Sequence, residues 1–210
     1  MAQTTSLPTT ATATIALPTA NKIGKLPLES AISQRSSVRE FASTPLTLED
    51  ISQLLWAAQG ITHGEGLRTA PSAGALYPLE LYLLTSRVES LANGIYHYDA
   101  THHALQRIEQ GNKLSKLTAA AYGQLWIKDS AAVIIITANY ERTSRKYGKR
   151  GQRYVHMEVG HAAQNIYLQA TALGIGTTLV GAFTDNEVAK VVGVKDNEAP
   201  LAILPLGRLR

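Results

Sequence analysis

The chain has 210 residues, 45% hydrophobic and 17% charged, with a net charge of +4. That composition fits one globular domain with or without a tail and excludes a wholly disordered chain. The absence of cysteine excludes disulfides, thiolate nucleophiles, iron–sulfur clusters and cysteine zinc sites.

The mild positive excess suits an anionic ligand and is too small to demand nucleic acid. No apolar run approaches the roughly 20 residues of a membrane span. No Lys or Arg precedes the weak apolar patch Ile15-Ala16-Leu17, so an export signal is not expected and the chain reads as soluble and cytoplasmic.

Residues 1–27 are rich in Thr, Ala and Pro without a sustained period. They read as a flexible arm, or as an extended arm wrapping a partner subunit. The domain proper is expected over residues 28–210. It opens with a short helix over 28–35. Thr47 and Asp50 form a capping box for a second helix, whose stripe Leu48, Ile51, Leu54, Leu55 and Ala58 is apolar and which Gly60 ends. Residues 61–75 are a Gly-rich loop. Strands are expected over 79–84, 95–98 and 104–108, and a helix over 113–121.

Residues 131–137, a continuous β-branched run, predict a strand buried on both faces. The longest helical pattern covers 152–173 and stops at Gly174. A strand near 177–180, a short helix capped by Thr184 with Glu187, and a last strand over 201–206 complete the chain. The alternation lacks a strict βαβ rhythm, so the fold class is α+β: layers of helices around a mixed, mostly antiparallel sheet.

Several common motifs are missing. Gly174-Ile175-Gly176 follows a helix and lacks the third glycine of a dinucleotide fingerprint. There is no P-loop and no nucleophile elbow. His156 and His161 are five residues apart and do not share a helix face. His97, His102 and His103 lack helper ligands, so no metal site is expected.

Four clusters carry possible chemistry. Arg35-Ser36-Ser37-Val38-Arg39 offers two guanidiniums and two hydroxyls to an anion. Arg68 to Pro78 contains Pro71-Ser72-Ala73-Gly74-Ala75, small enough for a flat ligand to approach the backbone. Lys146-Tyr147 opens a basic, aromatic stretch; a Tyr beside a Lys is a candidate proton donor. Arg208 and Arg210 alternate at the C-terminus and project to one side. The basic stretch from Arg142 to Arg153 also admits a nucleic-acid face.

In this order the segments RSSVREF (35–41), LLWAAQGIT (54–62), PSAGALYPLE (71–80), GIYHYD (94–99), KYGKRGQRYVHMEVGHAAQN (146–165) and LGIGTTLVGAF (173–183) resemble the nitroreductase family of FMN-dependent NAD(P)H oxidoreductases. The likeness is to its SagB-type branch, whose members oxidise peptide thiazolines and oxazolines. The resemblance implies a three-layer fold, an intertwined homodimer with FMN at the subunit interface, and NADH or NADPH as reductant. It implies a ping-pong transfer to a nitroaromatic, a quinone or an azoline.

It also assigns roles. Arg35, Ser36, Ser37 and Arg39 hold the flavin phosphate and ribityl chain, with Arg208 and Arg210 closing on the phosphate. Pro71, Ser72, Ala73, Gly74 and Ala75 reach the flavin of the other subunit. Ala75 stands where nitroreductases proper usually carry Asn, which favours backbone contacts. Val180, Gly181 and Ala182 offer N–H groups to the ring, and Lys146 and Tyr147 are catalytic. A peptide azoline dehydrogenase beside a cyclodehydratase, a flavin-storage protein and a basic nucleic-acid binder are the alternatives.

Overall fold

The capping box forms as its spacing requires. In the computed structural model, which describes residues 14–210, Thr47 Oγ1 accepts from Asp50 N at 3.2 Å, and Asp50 Oδ2 accepts from Thr47 N at 2.8 Å. Helix α2 (Leu48–Gln59) follows. It lays Ile51, Leu54, Leu55 and Ala58 against the sheet and packs on helix α6 (Arg150–Ala172). Residues 132–138 form the fully buried strand β5 (Ala132–Ala138), as an unbroken β-branched run demands.

The other strands are β1 (Thr14–Ala16), β2 (Leu79–Thr85), β3 (Gly94–Asp99), β4 (Ala104–Gln110), β6 (Ile175–Thr177) and β7 (Ala199–Arg208), in the order β1-β4-β3-β2-β5-β7-β6. Every pairing between them is antiparallel. The expected mostly antiparallel sheet is found, and the named strands include no parallel pair. Among the described residues the parallel contact is the bridge Leu46–Val88, outside the named strands.

Helices α2 and α6 cover one face of the sheet, where Leu79, Leu81, Ile134, Ile136 and Leu204 are buried. Helices α3 (Leu114–Ala120) and α7 (Asp185–Val192) cover the other, over Tyr82, Leu84, Val133, Ile135 and Ile203. Three layers result. Helix α1 (Leu28–Gln34) sits beside α6. Of the small residues on α6, Ala162, Ala163 and Ala170 are buried in this chain's own core. Among the described residues no helix is long and apolar enough to cross a membrane.

Within the arm expected over residues 1–27, β1 pairs with the outer edge of β4. The chain is then pinned at the Pro18 carbonyl, which accepts from Ser52 Oγ at 2.5 Å and lies 3.0 Å from His103 Nε2.

The strand expected near 177–180 is displaced to Ile175–Thr177, leaving one further bridge, Val180–Ile203. The interruption has a cause. The pairing of Gly176 with Gly207 and of Val180 with Ile203 puts Pro205 opposite Thr178. Ala131 N bonds the Leu206 carbonyl on the β5 side and Val180 exchanges bonds with Ile203 on the other, so Pro205 faces β6 where a donor is needed. Proline has none, and the ladder breaks. Helix α4 (Leu125–Lys128) is a single turn, too short to show a period, and α5 (Tyr140–Tyr147) is polar, so neither is expected from the sequence. The expected cap of α7 lacks its side-chain bond, although Thr184 does precede the helix.

Candidate functional site

The Arg35–Arg39 segment leaves α1 and runs along the β6 edge, held by a bond from Val38 N to the Thr177 carbonyl at 2.8 Å. Gly176 permits this closeness: a Cβ there would lie 2.6 Å from Val38 Cγ1. Arg35 lies over the Tyr167 ring, its Cζ 5.3 Å from the centroid, and Arg39 over Trp126 at 5.6 Å. Ser37 Oγ is 3.3 Å from the Tyr167 hydroxyl, which also accepts from Leu179 N at 2.6 Å. Tyr167, unnoticed in the sequence, thus ties the Arg/Ser cluster to the 179–182 turn. In that turn Val180 N is committed to the Ile203 carbonyl. Gly181 and Ala182 keep N–H groups with no acceptor among the described residues.

Arg208 and Arg210 each have a carboxylate partner. Arg208 donates to Asp50 Oδ2 at 2.5 Å and to the Leu173 carbonyl at 3.2 Å, and Arg210 pairs with Glu40 at 3.2 Å. Arg35 and Arg39 are thus the two of the four expected arginines without one among the described residues. Two buried donors beside them also lack acceptors: Trp126 Nε1 and Thr177 Oγ1. A buried donor without an acceptor costs roughly 1–3 kcal/mol. Such a cluster suits an anion with several acceptor atoms.

The second cluster forms around the Pro71–Ala75 loop. Ser72 Oγ accepts from Tyr77 N at 2.9 Å, and Gly74 has a left-handed φ of 65° that favours glycine. A Cβ at Gly74 would lie 2.8 Å from the Tyr147 hydroxyl and 3.1 Å from Lys146 Nζ. The Lys146–Tyr147 pair, at the end of α5, therefore presses its polar tips on this loop, while Tyr154 stacks edge-on against Tyr147.

Beneath lies Glu158, 2% exposed, with Oε1 unpartnered. Burial pushes its carboxyl up to about 7, against the smaller pull of Ser72 and Arg68. Glu158 falls three residues after Val155 and four before Ala162, on the buried stripe of α6, and that spacing is the signal that could have found it.

The two clusters lie toward opposite halves of α6. Glu158 and Tyr167 are nine residues apart on α6, about 13 Å along its axis at 1.5 Å per residue.

The Glu158 carboxyl holds its proton to higher pH in the folded chain than in the unfolded one. Stability should therefore fall as pH rises from about 4.5 to about 7. Glu158→Gln is expected to be more stable than the wild type above pH 7, by up to about 3 kcal/mol. The difference should vanish below the ordinary carboxylate range. Urea unfolding of both proteins at pH 4 and pH 8 measures this, and equal stabilities at pH 8 would contradict it.

The basic stretch is partly neutralised: Arg142 pairs with Glu80 at 2.5 Å and Arg145 with Glu141 at 2.8 Å. A continuous cationic face for nucleic acid is weakened accordingly.

The family model described as Nitroreductase family matches residues 32–208. The chain is 49% identical over 186 residues to the nitroreductase homologue MJ1384 of Methanocaldococcus jannaschii, covering 89% of this chain and 93% of that protein. It is 31% identical over 151 residues to the microcin B17-processing protein McbC of Escherichia coli, covering 67% of this chain and 54% of McbC. The crystal structure of a nitroreductase homologue from Ralstonia eutropha JMP134 superposes with a TM-score of 0.84 at 27% identity, over 98% of this chain and 93% of that one.

Proposed function

Because the chain belongs to the nitroreductase family, we propose that it is an FMN-dependent oxidoreductase in which two copies complete each flavin site. The observation that carries this reading is the separation of the two donor clusters toward opposite halves of α6. Each has open bonding capacity. Arg35, Arg39 and Ser37 of one chain hold the phosphate and ribityl end. Gly181 and Ala182 present N–H groups to the ring, and the Pro71–Ala75 loop comes from the other chain. Arg208, tied to Asp50, stiffens the phosphate end more than it contacts it.

When bound, FMN supplies a two-electron carrier between reductant and acceptor. The chain's residues do the rest. The unpaired arginines oppose the negative charge of the phosphate. The N–H groups of Gly181 and Ala182 orient the ring edge. Lys146 sets its side-chain nitrogen beside Tyr147, whose hydroxyl is placed to exchange a proton with a substrate at the loop. NADH or NADPH and then a nitroaromatic or quinone occupy the cleft in turn.

A second reading shares the site and differs in substrate. Tyr147 against the Pro71–Ala75 loop, together with the likeness to McbC, favours oxidation of a peptide azoline, with a cyclodehydratase as partner. Anaerobic mixing tests both. Bleaching of the flavin absorbance by NADH or NADPH supports the first reading, and bleaching by a thiazoline peptide supports the second. A purified protein that binds no added FMN sinks both. Tyr147→Phe should keep full flavin occupancy while slowing turnover by about tenfold or more. An unchanged rate would return the residue to a packing role.

A further inference from the structure

Strands β2 and β3 pair only through Tyr82–His97, Leu83–Tyr96 and Leu84–Ile95. Beyond Tyr82 they part, although β2 stays paired to β5 back to Leu79 and β3 runs on to Asp99. The parting opens a cleft of about 720 Å³ in the plane of the sheet. From the α2 side it is lined by Gln59 and Arg68, and from the opposite side by His97 and Lys195, with Glu80 and Arg142 at its wall. Arg68 alone of these also acts on Glu158, beneath the Pro71–Ala75 loop; the others lie outside the flavin clusters.

The hydrogen-bonding state of the lining is one-sided. Glu80 is paired through both oxygens: Oε1 takes Arg142 Nη2 at 2.5 Å, and Oε2 lies 2.8 Å from His97 Nε2. Asp99 is spent on its own turn, accepting from Thr101 N at 2.9 Å and pairing with the His102 ring at 2.7 Å. The Gln59 side-chain carbonyl accepts from Arg68 Nη1 at 2.9 Å.

What remains is donor capacity. Gln59 is 1% exposed, and its Nε2 has no partner. Arg68 keeps its other N–H groups, while burial pushes its pKa down and Glu80 and Glu158 pull it back up. The Lys195 ammonium is 3.9 Å from Glu198 and mostly exposed. A native chain rarely leaves such a buried amide unsatisfied without a ligand or a water to take it.

We propose that this cleft binds a small organic carboxylate, whose oxygens accept from Gln59 Nε2, the Arg68 guanidinium and Lys195. A cation is disfavoured because both nearby carboxylates are already paired with basic side chains, Glu80 with Arg142 and His97 and Asp99 with His102. The volume lies within the range of small-molecule pockets, about 300–1,000 Å³. The proposal is independent of the flavin reading.

Titration calorimetry with succinate, on flavin-loaded and flavin-free protein at low salt, tests it. One site per chain is expected in both samples, and Arg35→Ala should leave that binding unchanged. Gln59→Leu keeps the side-chain volume and removes the donor, and it should weaken succinate at least about tenfold. Should Gln59→Leu not fold, Lys195→Ala, at an exposed position, should still weaken binding several-fold. No heat at 10 mM succinate would overturn the proposal, because the cleft then holds only water. Equal affinities in the wild type and the Gln59 and Lys195 variants would overturn it too, because the anion then sits elsewhere.

Discussion

Arg35→Ala combined with Arg39→Ala is expected to cut FMN affinity by more than about a hundredfold while leaving the fold intact. The magnitude follows from the bonds lost. A hydrogen bond to a charged group contributes roughly 1.5–3 kcal/mol, and two such losses exceed the 2.7 kcal/mol or so of a hundredfold change. No other cation of the cluster is free to compensate, because Arg208 is held by Asp50 and Arg210 by Glu40. The fold should survive because both guanidiniums lie on aromatic faces at the surface. The backbone bond from Val38 to Thr177 keeps the segment in place. Quenching of flavin fluorescence on titration measures the affinity, and the far-ultraviolet spectrum checks the fold. Retention of wild-type affinity in the double variant would remove the phosphate role from this cluster.

Gly151→Ala is expected to destabilise the fold and to disturb the Lys146–Tyr147 pair from outside the flavin clusters. A Cβ at Gly151 would lie 2.8 Å from Ser144 Cα and 2.9 Å from Ser144 N and Oγ. Two of those three atoms are backbone of α5, so no side chain can swing aside. Alanine gains at most about 1 kcal/mol of helix propensity over glycine, and less in the first turn of α6. Overpacking costs typically about 1–3 kcal/mol, so the net effect is destabilising. At about 2–4 °C per kcal/mol for a chain of this size, the melting temperature should fall by several degrees. Relief of the clash pushes α5 away from α6 and carries Lys146 and Tyr147 off the loop. Turnover should then fall even in the fraction that stays folded. A variant with wild-type melting temperature and rate would show that α5 is not fixed by this contact.

Much of this architecture is legible in the residues. Thr47 and Asp50 announce α2 because the capping box is a local device. The run from Ala132 to Ala138 announces β5 because only a strand covered on both faces tolerates it. The Arg35–Arg39 and Pro71–Ala75 segments carry their chemistry in contiguous residues, but only the resemblance to the nitroreductase family assigns them to a flavin.

What escapes the sequence depends on distant partners. The break of the β6 ladder is set by Pro205 facing Thr178 from another strand. The perturbation of Glu158 arises from burial between α6 and the Pro71–Ala75 loop. The donor role of Gln59 depends on the parting of β2 from β3. Helix α5 is polar and held by its contact with α6, so no apolar period marks it.

Subunit complementation addresses most directly whether two chains build each site. The Arg35→Ala/Arg39→Ala chain is mixed with the Tyr147→Phe chain, both are unfolded and refolded together, and NAD(P)H oxidation with a quinone acceptor is measured. If each site takes its arginines from one chain and its tyrosine from the other, half of the randomly formed dimers contain one intact site, and activity should recover to about a quarter of wild type. A mixture no more active than the average of the two variants refolded separately would mean that each chain builds its site alone, and the shared flavin site would be contradicted.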